Sequence, residues 1–253
     1  MNGFLEYVPG DSLLHRLNPV TKIAFAVLFA IACFCTSNVI VLVVMLAISI
    51  GLALSCDMMR QTFGLMKAVF AFSIILAVLL LLTNSSGDVL VELPWGYIGT
   101  GSVMAAVCTI LRLEAAAIPL FLTFYVTKMT DLSNSAVKVL HVPYKYAFTF
   151  ASTVHFIPVF MNDMRSIMEA QTARGVEFDQ GGIVNKVRLM VPLCVPLLVS
   201  SVRKTNSAAI AAEVRGFDLR TRESGYKQYP FSAMDIVVMV LAVAILVACI
   251  LIP

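Results

Sequence analysis

From Ile23 to Cys56 the chain contains no charged residue, and that single fact restricts its fold more than any other. Apolar runs occupy Ile23–Cys35 and Val39–Leu54, joined by Thr36-Ser37-Asn38. Others follow at Lys67–Leu82, Ser102–Val126 and Phe231–Ile252. Runs of this length suit helices that cross a bilayer, where about 20 apolar residues fill the hydrocarbon core and flanking polar residues sit at the interface. Composition agrees: 60% of residues are hydrophobic, 13% are charged, and mean hydropathy is +0.91. A soluble domain carries roughly a quarter charged residues. The fold class expected is therefore all-α, a multi-span helical membrane protein. The first twenty residues are polar and carry Pro9, Gly10 and Pro19, which argues against a secretory signal peptide. Asn18-Pro19 is placed to open a helix.

Basic residues give the orientation. Arg16, Lys22, Arg60, Lys67, Lys128, Lys138 and Lys145 fall at alternate loops or span ends. The Thr36–Asn38 turn and the Thr83–Gly101 loop have no Lys or Arg, and the loop carries Asp88, Glu92 and the interfacial types Trp95 and Tyr97. The positive-inside rule then puts the N-terminus in the cytoplasm and returns the chain there near Lys128. The expected organisation is a four-span region over 1–127, a cytoplasmic coupling-helix domain over 128–230 and a final span over 231–253. Pro253 would lie outside. Most of the Lys and Arg lie in the middle region. Arg112 is the one Lys or Arg that this sorting does not place, and it lies beside Glu114 near the middle of the Ser102–Val126 run. An internal pair, a partner on a neighbouring helix and a transport role all stay open for them.

The middle region contains one pattern twice. Ala170-Gln-Thr-Ala173-Arg174-Gly175-Val-Glu-Phe178-Asp179 is echoed by Ala211-Ala-Glu-Val214-Arg215-Gly216-Phe217-Asp218. Upstream of the first, Ile157, Phe160, Met161, Met164, Ile167, Met168 and Gln171 recur at helical spacing, with Asn162, Asp163, Arg165 and Glu169 opposite, which reads as an amphipathic helix. Upstream of the second, Pro196–Arg215 is rich in small residues (Ser200, Ser201, Ser207, Ala208, Ala209, Ala211, Ala212), which permit close crossing against another helix. An arginine in a last turn interacts well with the helix dipole, and a following glycine can end the helix in a left-handed conformation. A single copy is as well explained as a C-cap as by anything else. Two copies with matching flanks favour recognition by a partner, because a planar guanidinium suits carboxylates or carbonyls in a groove.

Other chemistry finds little support. There is no phosphate-binding G-x-x-x-x-G-K-[ST] loop and no Gly-x-Ser-x-Gly elbow, and His15, His141 and His155 are scattered. Six cysteines lie in or beside apolar runs without metal-ligand spacing and read as small packing residues. Glu114-Ala115-Ala116 superficially resembles the coupling-loop signature of other importer permeases, but Ala117-Ile118-Pro119-Leu120 continues an apolar run, the wrong context. No enzyme activity, cofactor, metal site or nucleic-acid partner is expected. The rival reading is an integral-membrane enzyme or self-sufficient carrier using Arg112 and Glu114.

The paired Ala173-Arg174-Gly175 and Val214-Arg215-Gly216 ends resemble the two X-Arg-X motifs on the coupling helices of the transmembrane T component of energy-coupling factor transporters. Tyr7-Val-Pro-Gly-Asp-Ser12, Leu14-His-Arg-Leu-Asn-Pro19 with Thr21-Lys22, His141-Val-Pro143, Phe156-Ile-Pro158 and Glu169-Ala-Gln171 are similar to that family's pattern as well. Asn18 departs from the family's usual Asp, and His155 from its Arg. The resemblance implies a non-catalytic subunit of an ABC-type importer of vitamins or transition-metal ions, in the cell membrane of a bacterium or archaeon. Its partners would be the lipid bilayer, a substrate-binding S component and two ABC-type ATPase subunits. Arg174 and Arg215 would each enter one ATPase groove.

Overall fold

The structure is a computed structural model that describes residues 10, 12–84, 86, 88–93, 96–176, 178, 182–221, 224, 227 and 229–251. Tyr7–Pro9, Asp11, Trp95, Glu177, Asp179 and Pro253, all used in the sequence reading, lie outside the described residues. The chain forms two compact units, Met1–Ser135 with Tyr229–Pro253, and Ala136–Gln228.

The first unit carries α1 (Leu13–Arg16), α2 (Pro19–Cys35), α3 (Val39–Ser55), α4 (Met59–Thr83), α5 (Thr100–Val126) and, from the far end of the sequence, α9 (Ala233–Leu251). Helix α6 (Met129–Val139) follows α5. The all-α class holds, and α4, α5 and α9 are each long and apolar enough to cross a membrane, while α2 and α3 are shorter apolar helices. Helix α5 packs against α2, α3 and α4, and α9 packs on α2. Their core joins Phe25, Phe29, Ala32 and Cys33 to Met45, Ala115, Ala116, Ala242 and Cys249. Alanines at these contacts let backbones approach closely. Ser49 uses that proximity, its hydroxyl donating to the Ala115 carbonyl across the α3–α5 contact at 3.0 Å.

Two boundaries differ from the sequence reading. The Thr83–Gly101 loop holds a short antiparallel hairpin, β1 (Val89–Leu93) and β2 (Gly96–Gly99), with Glu92 opposite Tyr97. Its β-branched residues gave too short an alternation to separate from a loop. Helix α4 begins eight residues before the apolar run, because Arg60, Gln61 and Lys67 interrupt hydrophobicity without interrupting helix propensity.

Helix ends explain several of the polar residues that this unit buries. A helix leaves four N–H groups unpaired at its start and four carbonyls at its end. Asn18 caps α2, its Oδ1 accepting from Val20 N at 3.1 Å, with Pro19 at the first helical position. Asn38 caps α3 in the same way, accepting from Ile40 N at 3.0 Å. Asp235 serves two starts at once. Its Oδ2 accepts from Ser232 N at 2.8 Å, closing a capping box on α9, and its Oδ1 accepts from Asn18 N at 2.9 Å. Lys22, also buried, donates to the His15 carbonyl and lies 3.5 Å from the Val126 carbonyl at the α5 terminus. Arg112 is likewise taken up by a helix end. Its Nη2 donates to the Thr36 carbonyl beyond α2 at 2.8 Å, and the guanidinium lies 5.7 Å from the Phe34 ring. Among the three roles left open for Arg112, a partner on a neighbouring helix is the one observed.

Asn18 also makes a contact that an aspartate could not. Its Nδ2 donates to the Tyr229 carbonyl at 3.1 Å, a bond no carboxylate can make, and a second carboxylate here would face Asp235. Asp235→Ala should leave the buried Asn18 N–H unpaired, a loss of about 1–3 kcal/mol. Thermal unfolding of the detergent-purified chain should shift downwards for Asp235→Ala and for Asn18→Asp. An unchanged transition in Asp235→Ala would contradict the double-cap role.

Candidate partner-docking site

The second unit is built on α7 (Tyr144–Ala173) and α8 (Ile183–Val214), which pack on one another. Both are longer than the sequence suggests. Pro158 lies inside α7, and Pro192 and Pro196 lie inside α8, so prolines that read as boundaries are absorbed within continuous helices. On α7 the partly buried stripe contains Phe156, Phe160, Met164, Ile167, Met168 and Gln171. The Phe156 and Phe160 rings stack at 5.5 Å. Ile157 and Met161, assigned by periodicity to that face, are instead exposed. Asp163, assigned to the opposite face, belongs to the packed one.

Asp163 is where the helices lock. Lys204 of α8 donates to both of its oxygens at 2.6 Å, and Ser200 donates to Oδ2 at 3.0 Å. Among the described residues this is the ion pair that joins the two helices. Small residues around it, Ser200, Ser201, Ala208 and Ala212, are partly buried, whereas Ser207, Ala209 and Ala211 face outwards. The Lys204 hydrogen bond, then that of Ser200, holds the Asp163 carboxyl below its usual value.

From this lock each arm has the same length. Arg174 lies eleven residues beyond Asp163, and Arg215 eleven beyond Lys204. Eleven residues are about three helical turns, roughly 16 Å, so each arginine returns nearly to the face of its locking residue.

The two ends close by the same means. Arg174 is the C-cap of α7 with φ −88°, and Gly175 follows at φ +89°. Gly175 N donates to the Thr172 carbonyl at 2.9 Å and Val176 N to Gln171 at 3.1 Å, the two bonds of a Schellman closure. Arg215 caps α8 with φ −83°, Gly216 follows at φ +69°, and Gly216 N donates to Glu213 at 2.9 Å. Glycine is required at both because its missing Cβ removes the penalty of the left-handed region. The capping is therefore done by backbone. Among the described residues no hydrogen bond or ion pair engages either guanidinium. Ala173, Arg174, Gly175, Val214 and Arg215 are exposed, and Gly216 is half-buried.

A cluster not foreseen from the sequence braces the second end. The Phe217 ring lies 4.8 Å from Phe148 and 5.5 Å from Tyr144 of α7, and the Arg220 guanidinium covers Tyr144 and donates to its hydroxyl. Phe217 begins a short 3₁₀ turn in which Leu219 is 84% exposed, and Val214 at the end of α8 is 82% exposed. Tyr144 and Phe217 are far apart in sequence, and no local signal pairs them.

Known proteins match this sequence over most of its length. Residues 10–226 match the CbiQ family, described as cobalt transport protein. The chain belongs to that family. CbiQ relatives that it resembles include proteins described as energy-coupling factor transporter transmembrane protein EcfT. That of Bacillus selenitireducens is 28% identical over 243 residues, covering 92% of this chain and 90% of the relative. That of Limosilactobacillus fermentum is 30% identical over 254 residues, covering 96% and 94%. The Bacillus subtilis protein is 28% identical over 246 residues, covering 93% and 92%. As a CbiQ-family chain with these apolar helices, this is a membrane transport protein.

The Asp163 shift predicts an acid dependence. A lowered folded value means the pair's contribution is full above the unfolded carboxyl value, about 3.9, and is lost as pH falls through the lower folded value. The stability gap between wild type and Asp163→Asn should be constant from about pH 5 to 8 and shrink progressively as pH falls below the unfolded carboxyl value of about 3.9. A gap that persists unchanged in stronger acid would exclude the ion pair as its source.

Proposed function

We propose that this CbiQ-family chain is the transmembrane coupling component of an energy-coupling factor importer for vitamins or transition-metal ions. In this reading it is non-catalytic. Its apolar helices hold a substrate-binding S component, and its α7–α8 unit sits on two ABC-type ATPase subunits, so that ATP-driven closure moves the unit and reorients the S component. The observation that carries the reading is the matched pair of exposed Arg-Gly ends, each eleven residues beyond one ion pair. Two equal arms ending in spare guanidiniums suit two equivalent grooves. The relatives described as energy-coupling factor transporter transmembrane proteins support the same reading.

The topology that goes with this function has five spans, over α2, α3, α4, α5 and α9, in the cell membrane of a bacterium or archaeon. Residues 1–127 would supply four spans, 128–230 the cytoplasmic coupling domain and 231–253 the last span. Charge asymmetry supports that orientation. Single cysteines at Ser86 and Ser224, in a cysteine-free background, should label from opposite sides of the membrane. Labelling of both from one side would rule the arrangement out.

Each arginine in its groove would form a desolvated, charge-assisted contact, and removing one partner of such a contact costs about 2–5 kcal/mol. Arg174→Ala or Arg215→Ala should weaken ATPase association without affecting membrane insertion. The double variant should lose the ATPases and uptake altogether, because the two contacts act through one locked helix pair and reinforce each other. Lysine should restore little, since an ammonium cannot reproduce the planar fork. Recovery of both ATPases by the double alanine variant at wild-type yield would overturn the docking role.

A further inference from the structure

Glu114 is the one charged group of α5 that no helix end takes up. It is 4% exposed, and among the described residues neither carboxylate oxygen has a hydrogen-bond partner. Arg112 does not serve it, since residues two apart point to different helix faces and the Arg112 Nη2 is given to Thr36. Glu114 lines a shallow, open cleft between α4 and α5. The walls beside it are apolar, among them Leu65, Met66, Val69, Ile118 and Phe121, and Gln61 and Tyr125 supply polarity nearer the α4 start. The Thr62 hydroxyl is also in the wall, but it donates to the Met58 carbonyl at 2.8 Å. Helix α4 stands at the margin of the bundle. It packs on α5, touches α3 and β2, and otherwise exposes Phe70, Phe72, Ile75, Leu79 and Leu82. A visitor therefore reaches the cleft from the side of the bundle.

An ionised carboxylate at this depth is unfavourable unless a positive, hydrogen-bond-donating group meets it. The geometry points to the α4–α5 cleft as the receiving site for a lysine or arginine side chain carried on a membrane-spanning helix of a partner subunit, with Glu114 accepting its N–H groups. Charge complementarity selects the cation. The walls select a tethered one: a single carboxylate among apolar side chains cannot replace the hydration shell of a free ion. The methylene stem of a lysine or arginine, by contrast, lies favourably along such walls. A charged contact inside the apolar layer would also fix the register of the partner helix, which apolar surfaces alone leave loosely specified. This inference rests on the proposed assembly and adds to it a specific contact within the spans.

Dicyclohexylcarbodiimide, an apolar reagent that modifies carboxyl groups inside membranes, distinguishes the outcomes. It is applied to the purified chain and to the complete complex in nanodiscs, and the Glu114 peptide is followed by mass spectrometry. Glu114 should be modified in the chain alone and protected about tenfold or more in the complex. In parallel, Glu114→Gln should lose its membrane-embedded partner while keeping the ATPases. Equal modification in both preparations, modification in neither, or full retention of the membrane partner by Glu114→Gln would each overturn the site. Those results leave the assembly itself standing. Failure of the wild-type chain to assemble with any membrane subunit or ATPase would overturn both readings.

Discussion

Away from water, a helix must find partners for the N–H groups at its start and the carbonyls at its end, and this requirement organises the whole structure. Several buried and half-buried polar residues of the first unit answer it. Asn18 and Asn38 cap the starts of α2 and α3, and Asp235 joins the starts of α2 and α9 by accepting from both. Lys22 and Arg112 meet carbonyls beyond the ends of α5 and α2. These contacts tie α9 to α2, so that Ala233–Leu251 belongs to the same compact unit as the opening helices.

The Arg-Gly ends solve the same problem differently, and that difference carries the functional argument. Glycine, in the left-handed conformation, closes each helix with backbone bonds alone. The arginine side chains are consequently not needed for capping and stay exposed. If the arginines were caps, their guanidiniums would be turned back onto the last carbonyls, as Arg112 is turned onto Thr36. The Asp163–Lys204 pair then sets the reach of both arms. Because the pair is part-exposed, its contribution to stability is modest and screened by solvent. Its value lies in fixing the register of one helix on the other.

Much of this was legible in the sequence, for reasons that differ from residue to residue. Uninterrupted apolar runs gave the helices of the first unit, and Asn18-Pro19 marked the start of α2 because cap and first-turn preferences are local. The duplicated Arg-Gly was visible because it too is a local signal. Asp163 was misplaced because a charged residue on a helix reads as solvent-facing until its partner is known, and Lys204 lies on another helix. Ile157 and Met161 were misplaced for the converse reason: apolar residues near a membrane need not face a protein core. The Tyr144–Phe148–Phe217–Arg220 cluster and the capping role of Asp235 depend on contacts between distant segments, which no window along the chain contains.

The central claim is that both Arg-Gly ends engage the ATPases together. Hydrogen–deuterium exchange of the chain in nanodiscs, with and without its ATPase subunits bound, tests it most directly. The account predicts that backbone amides at 170–178 and 211–219 gain protection in the same complex and to a similar degree. Protection confined to one end, or at neither while the ATPases remain bound, would contradict it.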